Sequence, residues 1–255
     1  MRTPDDLVDV DDPGIDVLRA LAQRPDANEN VILPVDATLR GPALERLQVT
    51  TRSLLGAVVY ETGGLLVDHA RLRVFGSSAA RSFWDANDAV SQAEHSEHSV
   101  LFIGDDVFGG VFAFNGGRFG QDDLGQVFHL PADATRWSST EVGYADFIAW
   151  CLTGDLALID AHLREDKFAG VEKGTAIDKV YSFYPFLWTE EGRSGAGTMR
   201  LVDANENLRL RIEMLGYKTV LSLSPDAYDA ARLADQTLGF HLRVRKRLVA
   251  VRPAA

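Results

Sequence analysis

Residues 103–120 read IGDDVFGGVFAFNGGRFG, and this stretch decides how the fold is interpreted. Its centre, GVFAF at 110–114, has the length and apolar composition typical of a short strand. Asp105 and Asp106 precede this run and Asn115-Gly116-Gly117 follows it, and tight turns favour these residue types. A phosphate-binding loop would need a lysine or a glycine pattern that opens a helix, and the stretch offers neither. We therefore interpret it as a turn, a strand and a second turn.

Similar short apolar runs lie on both sides of this stretch. Glycine-containing links separate them, such as ETGG at 61–64, and two strands joined by a glycine turn fit this pattern best. Helical patterns follow the runs instead of alternating with them, which disfavours a parallel α/β sheet. The sequence therefore predicts an α+β fold in which helices pack against a mainly antiparallel sheet. The predicted strands are 54–60, 65–75, 99–104, 110–114 and 125–130.

Amphipathic helices are predicted wherever apolar residues recur at helical spacing. By contrast, the segment 77–99 is polar and weakly patterned, and we interpret it as an excursion over the surface. The predicted helices follow Asp12-Pro13 and Gly41-Pro42, span about 139–152, begin after a cap at Asp155 and cover 204–217.

The chain is interpreted as a main domain, 1–216, with a C-terminal extension, 217–255. In the extension, Phe240, Leu242 and Val244 alternate with polar and charged residues, as in a strand with one buried face. Because these apolar side chains need burial, we expect the extension to pack on the main domain or on a second copy of the chain. The second alternative would make the protein a homodimer.

The charge balance limits the kinds of partner that the protein can have. The chain has 37 acidic and 26 basic side chains, which give a formal net charge of −11. Binding to a nucleic-acid backbone requires clustered lysine and arginine, so this balance argues against nucleic acid as the main ligand. An acidic surface attracts basic proteins, although acidity can also serve solubility alone.

Cys151 is the single cysteine, so neither an intrachain disulfide nor a thiolate-rich metal site can form. It lies among apolar residues in FIAWCLTG and is interpreted as a buried packing residue. The acidic N-terminus lacks the apolar core of a signal peptide, and no apolar run is long enough to cross a bilayer. We expect a cytoplasmic protein without membrane attachment, and no motif indicates a cofactor.

One group of side chains could carry acid–base chemistry. Glu61, Asp68 and His69 lie near the first predicted hairpin, and a hydrolase-like site would result if they met Asp105 and Asp106 in a cleft. No serine in a nucleophile-elbow motif accompanies them, and the polarity of a hairpin explains them as well. Adjacent strand residues point to opposite faces, so the two neighbouring aspartates cannot easily share one metal ion.

The segment HSEHS at 95–99 is the other group with metal-ligating side chains. It holds two histidines three residues apart. Zinc sites need three or four ligands, and no further metal motif in the chain completes the set. We interpret the segment as a solvated loop.

The segment YSFYPFLW at 181–188 concentrates five aromatic residues around Pro185. A proline at this position excludes a regular central strand. Aromatic residues in such a block either pack in the core or form a partly exposed recognition patch, because aromatic anchors dominate protein interfaces. Trp188 is the candidate anchor.

Four blocks together resemble a bacterial family of unknown function, domain-of-unknown-function family 2625, and occur in the family's order over roughly residues 5–216. More distantly, the run 104–156 is similar to the SUKH superfamily, in which a glycine-turned strand pair, a further strand and an amphipathic helix follow one another. The segment 77–99 matches loosely, and 217–255 is additional. The blocks are QVTTRSLLGAVVYETGGLLVDHARLRVFGS (48–77), DDVFGGVFAFNGG (105–117), GYADFIAWCLTGDL (143–156) and SFYPFLWTEEG (182–192).

The resemblance implies an α+β fold with helices packed on a mainly antiparallel sheet, and it identifies no catalytic residues. Many bacterial members of the SUKH superfamily are immunity proteins that bind and neutralise toxins, often nucleases. We therefore interpret the protein as a non-enzymatic protein-binding module of the immunity or antitoxin type. An acidic inhibitor would associate rapidly with a basic toxin, and aromatic anchors would set the lifetime of the complex. The candidate contact residues are Asp105, Asp106, Asp122, Asp123 and Trp188.

Overall fold

A computed structural model shows the architecture that this sequence pattern produces. It describes residues 1–91, 100–160, 163, 168, 170–171, 173–195 and 197–215. The histidine segment 95–99 and the C-terminal extension 217–255 lie outside the described residues. What the sequence predicts for these two segments therefore stays a prediction.

Seven strands of the described chain form one sheet in which each strand pairs antiparallel with the next in sequence. This meander confirms the predicted α+β fold with a mainly antiparallel sheet. The strands are β1 (Asn30–Leu33), β2 (Gly64–Val67), β3 (Leu72–Phe75), β4 (Val100–Asp106), β5 (Val111–Asn115), β6 (Gln126–Leu130) and β7 (Ser138–Gly143).

Residues 103–120 form the end of β4, a turn, β5 and the start of a second turn, as the sequence predicts. Asn115 organises the second turn. Its Oδ1 accepts hydrogen bonds from the N–H groups of Gly117 and Phe119, and its Nδ2 donates to the carbonyls of Gly120 and Asp123. Gly117 has a φ of +126°, a conformation that glycine adopts without steric cost. The stretch is therefore a structural part of the sheet.

Helices of the described chain pack with the sheet around one large hydrophobic core. Three of the predicted helices are confirmed: those after Pro13, after Asp155 and from residue 204. The helices are α1 (Pro4–Leu7), α2 (Gly14–Ala22), α3 (Ala37–Leu47), α4 (Leu54–Glu61), α5 (Phe83–Ser91), α6 (Tyr144–Thr153), α7 (Ala157–Asp160), α8 (Glu190–Arg193) and α9 (Ala204–Leu215).

The predicted strand 54–60 is wrong, because these residues form helix α4. Ser53 caps the helix, since its hydroxyl oxygen accepts a 3.0 Å hydrogen bond from the N–H of Gly56. The helix packs against α2, α3 and α6 and is buried on most sides. A helix buried all round has no polar face, so a short apolar run of this kind looks the same as a buried strand. The strand that pairs with β2 is β1, and not the segment 54–60 as the sequence predicted.

The predicted surface excursion 77–99 contains helix α5, which the sequence interpretation missed. The helix begins with a reciprocal capping pair, in which the Ser82 N–H donates to Asp85 and the Asp85 N–H donates to the Ser82 hydroxyl. Phe83 and Ala86 are fully buried. The buried amide of Asn87 also bonds the main chain of Phe102 in β4. Polar residues in this segment therefore satisfy buried groups of the core.

Two predicted helix boundaries are also wrong. The segment that starts at Ser139 first forms strand β7, and helix α6 begins only at Tyr144. The helix predicted after Gly41-Pro42 starts earlier, at Ala37. There the side chain of Asp36 accepts a hydrogen bond from the N–H of Thr38. A capping side chain thus sets the start of α3, whereas α6 begins where strand β7 ends, at Gly143.

A two-stranded antiparallel hairpin lies beside the main sheet and was not predicted. It consists of β8 (Lys179–Tyr184) and β9 (Thr198–Asp203), and helix α9 follows β9 directly. Its strands pack over a second, smaller apolar cluster that includes Phe108, Phe168 and Tyr181. Pro185 comes immediately after β8, so the proline ends the strand instead of preventing it.

Candidate functional site

A buried charge cluster joins the sheet to the hairpin layer. Arg73 in β3 lies opposite Asp105 in β4, and its Nε donates a 2.6 Å hydrogen bond to Oδ1 of that aspartate. The Nη1 of Arg81 donates a 2.6 Å bond to Oδ2 of the same carboxylate. Arg73 also donates to the carbonyl of Lys179 in the hairpin, and Arg81 donates to the side-chain oxygen of Asn205 at the start of helix α9. The cluster therefore holds two layers of the protein together.

The carboxylate of Asp106 turns back into the loop between β4 and β5. Its Oδ1 accepts hydrogen bonds from the N–H groups of Phe108 at 2.8 Å and Gly110 at 2.9 Å. The pKa of this carboxyl is raised from 3.8 to about 6, chiefly by burial; the bond from Gly110 opposes the shift, and the nearby charge of Asp160 adds to it. Its role here is to fix the turn.

Both of these aspartates were candidate contact residues, and the structure places them elsewhere. Asp105 and Asp106 are each only 4% exposed, so a protein that docks on the surface cannot reach their carboxylates. Paired aspartates look the same in a sequence whether they face solvent or arginines. The buried partners Arg73 and Arg81 are brought in by strand pairing and by a loop, and no short motif shows them.

The residues of the alternative enzyme site do not converge. Glu61 ends helix α4, whereas Asp68 and His69 form the turn after β2, so the whole of β2 lies between them, roughly 13 Å at 3.3 Å per residue. The Nδ1 of His69 lies 2.5 Å from a carboxylate oxygen of Glu29, at the surface. The Asp105 carboxylate is occupied by its two arginines. The geometry therefore supplies no shared cleft for these groups.

Asp122 and Asp123 lie in the loop between β5 and β6. Asp122 is exposed and Asp123 is partly buried. The turn at the other end of β5 contains Gly109, and the five residues of β5 span roughly 17 Å. The two acidic residues therefore remain available at the surface, but at the opposite end of β5 from the groove described next.

A shallow, open groove runs between the hairpin and helix α9, and its cavity volume is about 20 Å³, close to the space of one water molecule. Aromatic side chains form most of one wall. The rings of Phe186 and Trp188 are stacked, with centroids 4.3 Å apart and planes 9° from parallel. Leu210 of α9 is 43% exposed at the opposite wall. Besides these three, the lining includes Phe108, Gly109, Ala132, Tyr181, Ser182, Phe183, Leu187, Asn207 and Arg211.

Arg211 places a buried cation at this groove. Its guanidinium carbon lies 5.0 Å from the centroid of the Trp188 ring. The two Nη atoms donate to the carbonyls of Pro131, Ala132 and Ala134, whereas the buried Nε makes no hydrogen bond within the described chain. Burial lowers the pKa of the guanidinium to about 10, so it stays charged near neutral pH. The groove thus combines apolar walls with a positive charge buried behind the Trp188 ring.

Trp188 is therefore the predicted contact residue that the structure places in a groove, where it is partly exposed. Sequence interpretation missed Leu210 and Arg211. One signal was present, because Leu208, Arg211 and Ile212 share a face of α9 at helical spacing, and an arginine on an apolar face indicates a buried partner.

Two further properties bear on the kind of site. Among the described residues, no three His, Cys, Asp or Glu side chains come together in a group that could hold a metal ion. The described helices also include none that is both long and apolar enough to span a bilayer.

The fold and the groove define a class: an α+β protein with a seven-stranded antiparallel meander, an accessory hairpin and an aromatic groove at the hairpin. The chain belongs to the family described as "Protein of unknown function DUF2625", whose model matches residues 5–207. The match covers both strands of the hairpin and Trp188, and residues 208–255 lie outside it.

Two relatives show how widely the sequence is shared. The uncharacterized protein YbfG of Escherichia coli K12 is 35% identical over 215 residues, which cover 84% of this chain and 97% of the relative. An uncharacterized protein of Haemophilus influenzae is 35% identical over 164 residues, which cover 63% of this chain and 72% of the relative. The family is thereby confirmed, while the SUKH link stays a prediction.

Proposed function

We propose that this protein is a non-enzymatic protein-binding module of the immunity or antitoxin type, and that it holds a segment of its partner in the aromatic groove. One observation carries the proposal. The groove brings together the stacked Phe186 and Trp188 rings, exposed Leu210 and the buried Arg211, whose guanidinium lies over the Trp188 ring. Trp and Arg are the residue types that most often dominate the energy of protein interfaces.

The aromatic wall is suited to binding because it is held in place before a partner arrives. Trp188 is fixed between the Phe186 ring and the Arg211 guanidinium, so little side-chain entropy is lost when a partner covers it. An apolar segment laid over the groove would remove Trp188 and Leu210 from water. Each fully buried side chain of this size contributes about 1.5–3 kcal/mol.

Arg211 influences which kind of partner segment the groove favours. Arg211 is only 4% exposed and its Nε is buried, so a partner senses its charge through the groove wall and does not bond it directly. A carboxylate of the partner would be attracted by this charge, although Asp106 and Asp133 already offset part of it. The best-fitting ligand is therefore an apolar peptide segment next to a carboxylate.

The charge of the molecule supports a basic partner overall. The net charge of −11 produces an attractive field that raises the association rate with a basic protein and weakens as salt screens it. Asp122 and Asp123 contribute to this field from the far end of β5 without contacting the groove. A basic toxin that carries an apolar recognition segment would satisfy both features. A cytoplasmic location remains part of the proposal.

The test is affinity capture from the native cell extract with the full chain as bait, across a salt series. Leu210→Asp places a charge in the groove, and Val17→Asp is the matched control, since Val17 is 51% exposed on helix α2. We expect a stoichiometric basic partner whose binding weakens at least about tenfold with Leu210→Asp and with Trp188→Ala, and is unchanged with Val17→Asp.

Two results would contradict the proposal. The first is the absence of any stoichiometric protein partner at low salt. The second is equal loss of binding with Leu210→Asp and Val17→Asp, which would locate the interface away from the groove. Sedimentation of the purified chain separates a second copy of itself from a different protein as the occupant.

A further inference from the structure

The outer edge of β9 is free of backbone partners within the described chain. The N–H of Tyr181 donates to the carbonyl of Val107, and the N–H of Ala204 donates to the carbonyl of Asp178. Because antiparallel hydrogen bonds alternate, these two bonds and the register direct Arg200 and Val202 toward β8. The N–H and C=O groups of Met199 and Leu201 therefore point outward.

The opposite edge of the hairpin is already occupied. Tyr181 of β8 bonds Val107, and the carbonyl of Lys179 accepts a 2.6 Å hydrogen bond from Nη1 of Arg73. Within the described chain, the outer side of β9 is therefore the more open edge for a further strand.

The free edge also has an apolar face that is incompletely covered. Leu201 is paired with Tyr181 across the hairpin, on the face that carries the smaller apolar cluster, yet it is 49% exposed. Met199 on the same face packs against the cluster. Natural edge strands are usually protected by charges, prolines or a cover, and a strand beside β9 would provide that cover.

We propose that residues 240–251 of the same chain form this cover, as a third strand added to β9. The segment FHLRVRKRLVAV alternates apolar Phe240, Leu242 and Val244 with basic side chains, as a strand with one buried face requires. Its apolar side would continue the face of Met199 and Leu201. Addition of a strand to an open edge is an established way of binding an extended segment.

The chain is long enough to reach this edge. Helix α9 starts directly after β9 and packs against the hairpin, so its end at Leu215 lies within roughly 18 Å of Asp203 at 1.5 Å per residue. The residues 216–239 could span up to roughly 80 Å when extended. The short distance makes docking within one chain more favourable than exchange with a second copy, because the effective concentration of the segment is high.

The charges of the two parts are complementary. The last 40 residues carry seven basic and three acidic side chains, a net charge of +4, so residues 1–215 carry −15 of the total of −11. The attraction favours docking of the extension on the body of the protein and weakens at high salt.

Amide-resolved hydrogen exchange on the full chain tests the pairing. We expect slow exchange at the outward amides of Met199 and Leu201, and at least about tenfold faster exchange in Val244→Pro, because proline interrupts a ladder. The amides of Arg200 and Val202, which face β8, should not change. Gln236→Pro, outside the alternating segment, is the matched control. Fast exchange at Met199 and Leu201 in the parent protein would overturn the proposal.

Disulfide trapping identifies the occupant, because the native Cys151 is buried and does not compete. Arg200→Cys faces away from Leu201 and is combined in turn with cysteines on the polar side of the segment. One combination should form an intrachain disulfide, whereas Arg200→Cys with Arg232→Cys should not. Covalent dimers, or no disulfide in any combination, would overturn docking within the chain. The partner cysteines replace His241, Arg243, Arg245 and Arg247.

Discussion

The Nη1 atom of Arg81 lies 2.6 Å from Oδ2 of Asp105, and both side chains are buried where the sheet meets the hairpin layer. Arg73 occupies the other oxygen of the same carboxylate. One carboxylate therefore bridges two guanidiniums from different parts of the chain. Removing one partner of such a cluster is far more costly than removing a surface ion pair, because buried charge is left uncompensated.

We predict that Asp105→Asn lowers the free energy of unfolding by about 3–5 kcal/mol, because two buried guanidiniums lose their counter-charge. Asp122→Asn removes the same charge from an exposed position and should change it by less than about 0.5 kcal/mol. Urea denaturation of both variants measures the difference. Equal stability of the two variants would show that the cluster does not hold the layers together.

The raised pKa of Asp106 predicts a pH dependence of stability with a defined sign. The folded carboxyl titrates at about 6 and the unfolded one at 3.8, so the folded state binds the proton more tightly. The contribution of this carboxyl to the free energy of unfolding is therefore largest below pH 4. It decreases by about 3 kcal/mol as the pH rises through 6. The difference in unfolding free energy between the parent protein and Asp106→Asn should therefore fall over this range. A difference that is constant from pH 4 to pH 7 would contradict the assignment.

Arg211 should not tolerate replacement by lysine. Its planar guanidinium donates to three carbonyls in the chain, and a lysine ammonium cannot reproduce this fork. We expect Arg211→Lys to destabilise the protein by about 1–3 kcal/mol. Arg209→Lys, on the exposed side of the same helix, should change stability by less than about 0.5 kcal/mol. Thermal and urea unfolding measure both, and similar values for the two variants would argue against the buried fork.

Two glycines should respond in opposite directions to alanine. A Cβ on Gly104 would lie 2.5 Å from the carbonyl oxygen of Arg73 in the neighbouring strand, so Gly104→Ala forces β3 and β4 apart and destabilises the protein by more than about 1 kcal/mol. A Cβ on Gly41 in helix α3 would meet nothing within 4 Å. Gly41→Ala should therefore stabilise the protein by about 0.5–1 kcal/mol. Urea midpoints of the two variants give the signs directly.

The sequence predicted those parts of the fold that depend on local chemistry. Turn residues around Asn115 predicted the turn, strand and turn at the centre of the sheet, and the order of strands and helices predicted the α+β class. The sequence also predicted α9 from its spacing. It failed for α4, whose apolar residues face other helices on most sides, so that no period distinguishes helix from strand.

For the candidate site as well, the sequence predicted the features that depend on local composition and missed those that depend on distant contacts. Its aromatic residues could be found from the sequence, because five aromatics around a proline are conspicuous in any chain, and Trp188 does line the groove. The sequence does not show which aspartates are exposed. Burial of Asp105 depends on Arg73, 32 residues away, and on Arg81, which strand pairing and a loop bring to the same carboxylate.

By itself, the sequence thus determined the turns, the antiparallel class of the sheet and the position of an aromatic block, since these follow from the backbone preferences and apolarity of neighbouring residues. The tertiary structure alone decided that Arg211 lies beside Trp188, that two conspicuous aspartates are buried, and that no described strand pairs with the outer edge of β9. These properties depend on contacts between distant segments. Such contacts form when burial brings elements together, and the interaction of one residue pair then depends on the position of every element between them.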